Sequence, residues 1–192
     1  MNRINKFTEE VKADYSWYAK GFNPLMFIAR LILRPYFRFL FIFRILNNFF
    51  YGGAKILLFP IYIYYSVMEW HYKIELPIKT KLGKGANFSH YGPRTINVAS
   101  IIGEYVQLAP CVLIGGQRGK GTPHIGNHVF LGYGSKIIGN VSIGNYVFVC
   151  PNSVVVRNVE SNSVTSGIPS KTINLNGTKN VKLYESEFSK NT

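Results

Sequence analysis

The sequence predicts a left-handed parallel β-helix preceded by a helical segment, and three observations support that fold class. Aliphatic or aromatic residues recur at six-residue steps from residue 76 onward, small or polar residues often follow them directly, and the first 73 residues lack this rhythm. A period of six fits neither an α-helix nor an alternating strand, but it fits short strands joined by tight corners. Three such hexads close one triangular coil of about 18 residues.

The apolar residue of each hexad is predicted to point into the coil. These inward positions are Leu76, Leu82, Phe88, Ile96, Ile102, Leu108, Ile114, Ile125, Leu131, Ile137, Ile143, Val149 and Val155. Every step is six except two, and the set makes a little over four coils. Such a fold is one of the few that break the right-handed crossover rule, and its stacked coils need a non-repetitive cap at each end. The predicted regions are therefore a helical region (1–73), a β-helix (74–173) and a C-terminal tail (174–192).

About four short helices are predicted within residues 1–73. Thr8 is a candidate N-cap followed by acidic residues, and Pro24 and Pro35 each suit the first turn of a helix. A glycine pair at residues 52–53 breaks the segment before the last helix. We expect these helices to cap one end of the coils and the chain after residue 167 to cap the other.

The later helices of this region are unusually apolar and aromatic. The uncharged run from Ile56 to Met68 is shorter than the ~20 residues that span a bilayer, so no transmembrane helix is expected. Arg30, Arg34 and Arg38 recur at four-residue spacing, which would place three positive charges along one helical face. Two roles remain open for this surface: packing against another subunit, or peripheral contact with an anionic membrane.

The composition is strongly basic. Lys and Arg number 22 against 9 Asp and Glu, a formal net charge of +13 that favours anionic partners such as nucleic acid, lipid or a phosphorylated ligand. Cys111 and Cys150 have no metal-type spacing, so neither a disulfide framework nor a zinc site is expected. Acidic residues stand where a secretory signal needs an apolar stretch. We therefore expect a cytoplasmic protein.

The two breaks in the rhythm mark candidate functional positions. The step from Phe88 to Ile96 is eight, so two extra residues bulge outward beside His90, in the stretch FSHYGPRT. An imidazole has an ordinary pKa near ~6.5 and can accept a proton at neutral pH. The step from Ile114 to Ile125 is eleven and inserts the Gly-rich excursion GGQRGKGTPH. The breaks thus predict a candidate base and a candidate loop over a site.

This half of the chain resembles the hexapeptide-repeat acyltransferases, and more closely the serine acetyltransferase branch and its relatives that acetylate capsule or exopolysaccharide sugars. The resemblance covers about residues 30–173 and rests on the ordered set FSH, GG…GKG.P, IGNVSIG and SGIPSK. It implies a homotrimer with a cleft between subunits, and acetyl-CoA as the acetyl donor. It implies no metal and no nucleic-acid partner.

The resemblance also implies roles for individual residues. His90 is expected to take the proton from an acceptor hydroxyl that attacks the thioester directly, and Glu75 is expected to orient His90. Glu75 stands where the family usually has an aspartate, and a plain surface carboxylate remains the alternative. The expected acetyl-CoA contacts are Gly115 and Gly116 near the thioester oxygen, Gly134 and Ser135 along the pantetheine arm, Pro169 in the closing segment, and Lys136 and Lys171 near the phosphates.

The acceptor half of the site departs from the serine-specific pattern of the family. Ser89 replaces an aspartate, and Gly121-Thr122-Pro123 replaces Arg-His-Pro. The predicted acceptor-binding residues are Ser89, Arg94, Arg118, Thr122 and His124. Serine carries two opposite charges that a site must compensate, and small neutral residues cannot do so.

We therefore predict a sugar hydroxyl as the acceptor, on a lipid-linked or nucleotide-linked precursor of capsule, O-antigen or exopolysaccharide. If the acceptor is serine, Arg94, Arg118 or His124 would have to bind its carboxylate. Two alternatives remain: serine O-acetylation for cysteine biosynthesis, and a non-catalytic scaffold in a membrane glycan-assembly complex.

Overall fold

The structure is a computed structural model that describes residues 2–50, 55–117 and 119–190, without the side chains of residues 187–190. Four helices come first: α1 (Arg3–Tyr15), α2 (Pro24–Leu33), α3 (Pro35–Phe49) and α4 (Lys55–Tyr72). The predicted helix starts at Pro24 and Pro35 are confirmed, since both prolines occupy first turns. The predicted break at residues 52–53 lies outside the described residues.

Two predictions for the helical region are wrong. Helix α1 begins before Thr8, because the Asn2 side chain accepts a hydrogen bond from the Ile4 amide and caps the helix. The three arginines do not share one helical face, because Arg34 adopts an extended conformation ahead of Pro35 and separates α2 from α3.

The rest of the chain winds into parallel coils with three faces. The first face consists of β1 (Ile74–Glu75), β4 (Arg94–Ile96), β7 (Val112–Gly115), β10 (Lys136–Ile138) and β13 (Val154–Val155). The second face consists of β2 (Lys81–Leu82), β5 (Ile101–Ile102), β8 (His124–Ile125) and β11 (Ser142–Ile143). The third face consists of β3 (Asn87–Phe88), β6 (Gln107–Leu108), β9 (Phe130–Leu131), β12 (Phe148–Val149), β14 (Val164–Gly167) and the antiparallel β15 (Ser170–Asn174). Each face pairs a strand with the strand one coil away, as in a left-handed parallel β-helix.

All of the predicted inward residues are buried. Two further residues continue the set: Val159 bridges to Ile143, and Thr165 pairs in register with Val149. They complete about five coils rather than a little over four. The step from Val155 to Val159 is only four residues, so a search for six-residue steps stops two positions too early.

A buried ion pair fastens the helical region to the first coil. Arg44 Nε donates to Asp14 Oδ2 at 2.8 Å, and the two Nη groups donate to the carbonyls of Leu82 and Gly83. Asp14 Oδ1 also accepts a bond from the Ala86 amide at 2.9 Å. Helices α1 and α3 are thus joined to one corner of the coil, where removing Arg44 would leave the Asp14 carboxylate buried without its cation.

Helices α2 and α4 leave a broad apolar surface exposed. No side chain of α2 is fully buried, and exposure reaches 79% at Leu25 on this helix and 93% at Ile56 and 72% at Trp70 on α4. Arg38 does not extend freely beside this surface, because its Nη1 donates to the carbonyls of Leu31 and Ile32. Within the described ranges, no helix combines the length and apolar character needed to cross a membrane.

The C-terminal residues form a helix, α5 (Gly177–Lys190), rather than the expected tail. It packs on the outside of the third face, where Val181 is buried with Ala109 and Phe130. The Phe130 and Tyr184 rings have centroids 4.1 Å apart. Apolar residues on the outer side of this face thus provide the packing surface for α5.

Candidate active site

The two breaks in the rhythm lie at two different edges of the triangular coil. The chain passes from the third face to the first at residues 89–93, and we call this column of corners the His90 edge. It passes from the first face to the second at residues 116–123, which we call the loop edge. Because both edges border the first face, that face separates the two breaks within one chain.

His90 occupies the first corner of the His90 edge. Its side chain is exposed, and its backbone lies in the left-handed region with φ of 55°. Cys111 and Asn152, at later corners of this edge, also have positive φ. A non-glycine residue in this region must be held by its surroundings, so the contacts of the bulge decide where the imidazole points.

Arg94 holds this bulge from inside the protein. The arginine is only 1% exposed; its Nη2 donates to the carbonyls of Ser89 and His90, and its Nη1 donates to the carbonyl of Gly92 at 2.9 Å. Its Nε donates to the carbonyl of Leu108 at 3.0 Å. Burial lowers the pKa of Arg94 to about 10. The predicted contact between Arg94 and an acceptor is therefore not what the structure shows, because this guanidinium binds backbone carbonyls.

Tyr133 is a neighbour of His90 that the sequence reasoning missed. The two ring centroids are 5.6 Å apart, and 39% of Tyr133 is exposed. Partial burial raises the pKa of Tyr133, and the positive charge of Arg94 opposes that shift. The signal was available in the hexads, because the residue directly before Gly134 falls at a corner of the same edge.

Glu75 lies on β1 with an exposed side chain, in register with Thr95 of the next coil. Among the residues described, no hydrogen bond or ion pair joins Glu75 to His90. The neighbouring Glu69 is partly buried, and its Oε1 accepts a bond from the Leu76 amide at 2.9 Å. Orientation of His90 by Glu75 remains a prediction.

Most of the predicted acetyl-CoA contacts lie along or beside the His90 edge. A side chain at Gly134 would be blocked, because its Cβ would lie 2.3 Å from Asn152 Oδ1. Lys136 is exposed, and Pro169 and Lys171 are exposed in the hairpin that follows β14. Ser135 differs from the prediction: it is fully buried with its hydroxyl inside the coil, so its side chain cannot line an outer groove.

The loop edge carries the other predicted contacts. Gly115 ends β7, and a Cβ at Gly116 would lie 2.9 Å from Thr122 Cγ2. The Gln117 amide donates to the Gly121 carbonyl at 3.1 Å and closes a short turn. Predicted residue Arg118 lies outside the described part of the chain.

The predicted acceptor residues are divided between the two edges. Ser89 lies at the His90 edge and is only 1% exposed. Thr122 lies at the loop edge, where its Oγ1 donates to the Ala99 carbonyl at 3.0 Å, and His124 follows on β8, exposed. One chain thus brings Ser89, Tyr133 and Gly134 to His90 but leaves Gly116, Thr122 and His124 beyond the first face.

His128 is outside this arrangement. Its ring stacks between those of Tyr105 and Tyr146, with centroids 5.0 and 4.8 Å away, so its side chain is held in place by both neighbours. A cavity of about 530 Å³ lined by residues such as Lys6, Lys81 and Glu104 does not include His90. The described residues contain no cluster of three or more His, Cys, Asp or Glu side chains able to hold a metal.

Comparisons with known proteins agree with the coil and its rhythm. The family described as "Bacterial transferase hexapeptide (six repeats)" matches residues 122–157. The chain is 29% identical over 154 residues to a serine acetyltransferase of Synechococcus elongatus, covering 67% of this chain and 63% of the relative. The chain therefore carries the hexapeptide repeat of this transferase family over residues 122–157 and is similar to serine acetyltransferases over a longer stretch.

A second relative of this hexapeptide-repeat chain is a serine acetyltransferase of Staphylococcus aureus. The two are 33% identical over 115 residues, which are 58% of this chain and 54% of the relative. The matched segments therefore span less than two thirds of either relative's length.

Solved structures of the same class share the fold. Soybean serine acetyltransferase matches with a TM-score of 0.73 and 23% identity over 88% of this chain and 69% of its own. The Neisseria gonorrhoeae enzyme in complex with serine matches with 0.70 and 22% over 90% and 69%. A serine acetyltransferase in complex with CoA matches with 0.68 and 22% over 89% and 69%. At these identities the likeness shows the fold alone.

Proposed function

We propose that the protein is an acetyl-CoA-dependent O-acetyltransferase in which His90 is the general base. The observation that carries this proposal is an exposed imidazole held at a break in the rhythm of a hexapeptide-repeat coil. His90 takes the proton of an acceptor hydroxyl as the oxygen attacks the thioester carbonyl carbon. The carbon–sulfur bond then breaks, and the imidazolium returns the proton to the sulfur of CoA. The products are an acetyl ester and CoA.

The His90 edge offers suitable contacts for acetyl-CoA. Exposed Lys136 and Lys171 provide positive charge for the phosphates. A solved structural neighbour is a complex with CoA, which supports this choice of donor.

We propose that the site is completed between the subunits of a homotrimer. Within one chain the first face separates His90 from Gly116 and Thr122. In a cyclic trimer every subunit meets the next through two different surfaces, so the loop edge of one chain can face the His90 edge of its neighbour. Such a cleft would contain both sets of predicted residues.

For the acceptor, the relatives favour the hydroxyl of L-serine over the predicted sugar. Both sequence relatives are serine acetyltransferases, and one solved neighbour is a complex with serine. The structure gives a reason to keep a sugar as the second candidate. Ser89 is buried and the Arg94 guanidinium binds backbone carbonyls, so neither offers a charge to the ammonium or carboxylate of serine.

An acceptor panel tests the activity and its specificity together. CoA release from acetyl-CoA would be measured with L-serine, nucleotide sugars and a lipid-linked glycan precursor. A kcat/KM for L-serine of ~10⁴ M⁻¹s⁻¹ or more, with none for the glycans, would remove the sugar candidate. The reverse pattern would remove serine, and no release with any acceptor would favour a non-catalytic scaffold.

The apolar surface of α2 and α4 supports a further proposal, peripheral contact with an anionic membrane. Residues 15–68 contain six Lys and Arg and no Asp or Glu. Arg44 is buried against Asp14, and the positive charge of the other five suits anionic headgroups. Sedimentation with phosphatidylglycerol vesicles at low and high salt tests this contact. We expect binding that weakens as salt rises; a protein that stays in solution at low salt would instead point to subunit packing.

A further inference from the structure

We infer that Arg94 and Tyr36 form a clamp that fixes the backbone of residues 89–92 and thereby aims the His90 imidazole. Arg94 donates to the carbonyls of Ser89, His90 and Gly92, and the Tyr36 hydroxyl accepts a bond from the Gly92 amide at 2.8 Å. Neither residue is proposed to touch a substrate. Both are positioning residues, and their role rests on the proposed function of His90.

The clamp replaces hydrogen bonds that the bulge cannot make with the coil. Regular corners bond to the coil above or below, as the Cys111 amide does to the Pro93 carbonyl at 2.6 Å. In the structure as described, the carbonyls of Ser89 and His90 have only Arg94 as a hydrogen-bond donor. The planar guanidinium has five N–H groups in a fixed arrangement, so one arginine side chain can donate hydrogen bonds to several carbonyls at once.

Arg94 and Arg44 are both fully buried arginines, but their partners differ. Arg44 pairs with a carboxylate, Asp14, at 2.8 Å. Among the described residues no carboxylate pairs with Arg94, and its guanidinium stands over the rings of Tyr36 and Phe88 at 5.0 and 5.1 Å. Both Nη groups thus bind carbonyls of the His90 bulge and Nε binds the Leu108 carbonyl of the next coil, rather than a counter-ion.

Tyr36 connects the clamp to the helical region. It lies in the first turn of α3, and its ring contacts Tyr72 of α4 and Tyr91 beside His90, with centroids 5.6 and 5.3 Å away. The helical region therefore reaches the bulge itself. A loosened contact at Tyr36 would change where His90 points without altering any group that binds CoA.

Two variants of the full-length protein test the clamp, with a matched tyrosine control. Arg94→Lys keeps the charge but cannot serve three carbonyls, and Tyr36→Phe keeps the ring but removes the acceptor of the Gly92 amide. We expect kcat to fall ~10–100-fold in Arg94→Lys and ~3–10-fold in Tyr36→Phe, because small misplacements of a catalytic group are costly. KM for acetyl-CoA should stay within about twofold. Tyr65→Phe, which removes a bond to the Leu76 carbonyl elsewhere in the core, should leave kcat within about twofold.

An NMR measurement separates the clamp from the proposed activity. The chain has four histidines, and the His90 signal of ¹³C-labelled protein can be assigned by its loss in His90→Gln. We expect both clamp variants to shift or broaden that signal and to leave the His128 signal in place. A shift together with no acetyl transfer by the parent protein would refute the proposed function and keep the clamp. Unchanged kcat and an unchanged His90 signal in Tyr36→Phe would overturn the clamp, even if Arg94→Lys fails to fold.

Discussion

At the scale of single residues, the proposed site combines an exposed histidine with buried residues that hold its backbone. We expect His90→Ala to lower kcat by ~10²–10⁴-fold and to leave acetyl-CoA affinity nearly unchanged, because a general base acts in the transition state. Steady-state kinetics and calorimetric titration with CoA measure the two quantities. His71→Ala, at an exposed histidine on α4, is the control. Activity of His90→Ala within tenfold of the parent would remove His90 from the mechanism.

The position of His90 could be predicted from the sequence, but the residues that hold it could not. A two-residue excess in a six-residue rhythm is visible in the printed chain, and it marks the bulge directly. Nothing in the sequence shows whether the guanidinium of Arg94 turns inward or outward, so an acceptor contact was an equally natural prediction. Tyr36 lies 56 positions before its partner Gly92, a separation that only the folded chain brings together.

At the scale of elements, the junction of α4 and β1 contains a charge that the fold disfavours. Burial raises the pKa of Glu69, and the nearby charge of Glu75 raises it further, while the bond from the Leu76 amide opposes both. A carboxyl with a raised pKa stabilises the fold while it is protonated, below its usual value of 4.5. That contribution is lost as pH rises through the raised pKa.

Glu69→Gln should therefore stabilise the protein at neutral pH. Glutamine keeps an oxygen acceptor for the Leu76 amide but carries no charge. We expect the melting temperature at pH 7 to rise by roughly 1–3 °C over the parent, with the difference closing as pH falls below about 4.5. Thermal unfolding across pH measures this, with Glu160→Gln at an exposed site as control. A lower melting temperature for Glu69→Gln at pH 7, or a melting-temperature difference that does not change with pH, would contradict this prediction.

Helices and strands could be predicted where residues close in sequence determine them. Pro24 and Pro35 start helices because their fixed φ suits a first turn, and the hexads specify the strands because one side of each strand is buried. Prediction failed where a distant or irregular contact decides. The four-residue step to Val159 hid the last coil, and α5 forms against Phe130 on a face that the hexads describe only from the inside.

At the scale of the whole molecule, the pair of Arg44 and Asp14 joins the coil to its helical region, while the His90 edge and the loop edge remain apart. The first face lies between them, so in the proposed trimer a single chain would contribute to two different clefts. The spacing of the inward residues already contains this geometry. Four of them, from Ile96 to Ile114, separate the two breaks, and three complete one coil, so the second break falls at a different edge from the first.

Because the two edges are separate, a substitution at one edge of a chain in the proposed trimer would inactivate only one of the two clefts to which that chain contributes. A chain substituted at His90 would inactivate the cleft that contains its His90 edge. It would still contribute an intact loop edge to the cleft that it forms with its other neighbour. A chain altered only at the loop does the reverse. Two alleles, one defective at His90 and one defective at the loop, would each give an inactive protein when present alone. In mixed trimers they would complement one another, because some clefts would combine an intact His90 edge from one product with an intact loop edge from the other.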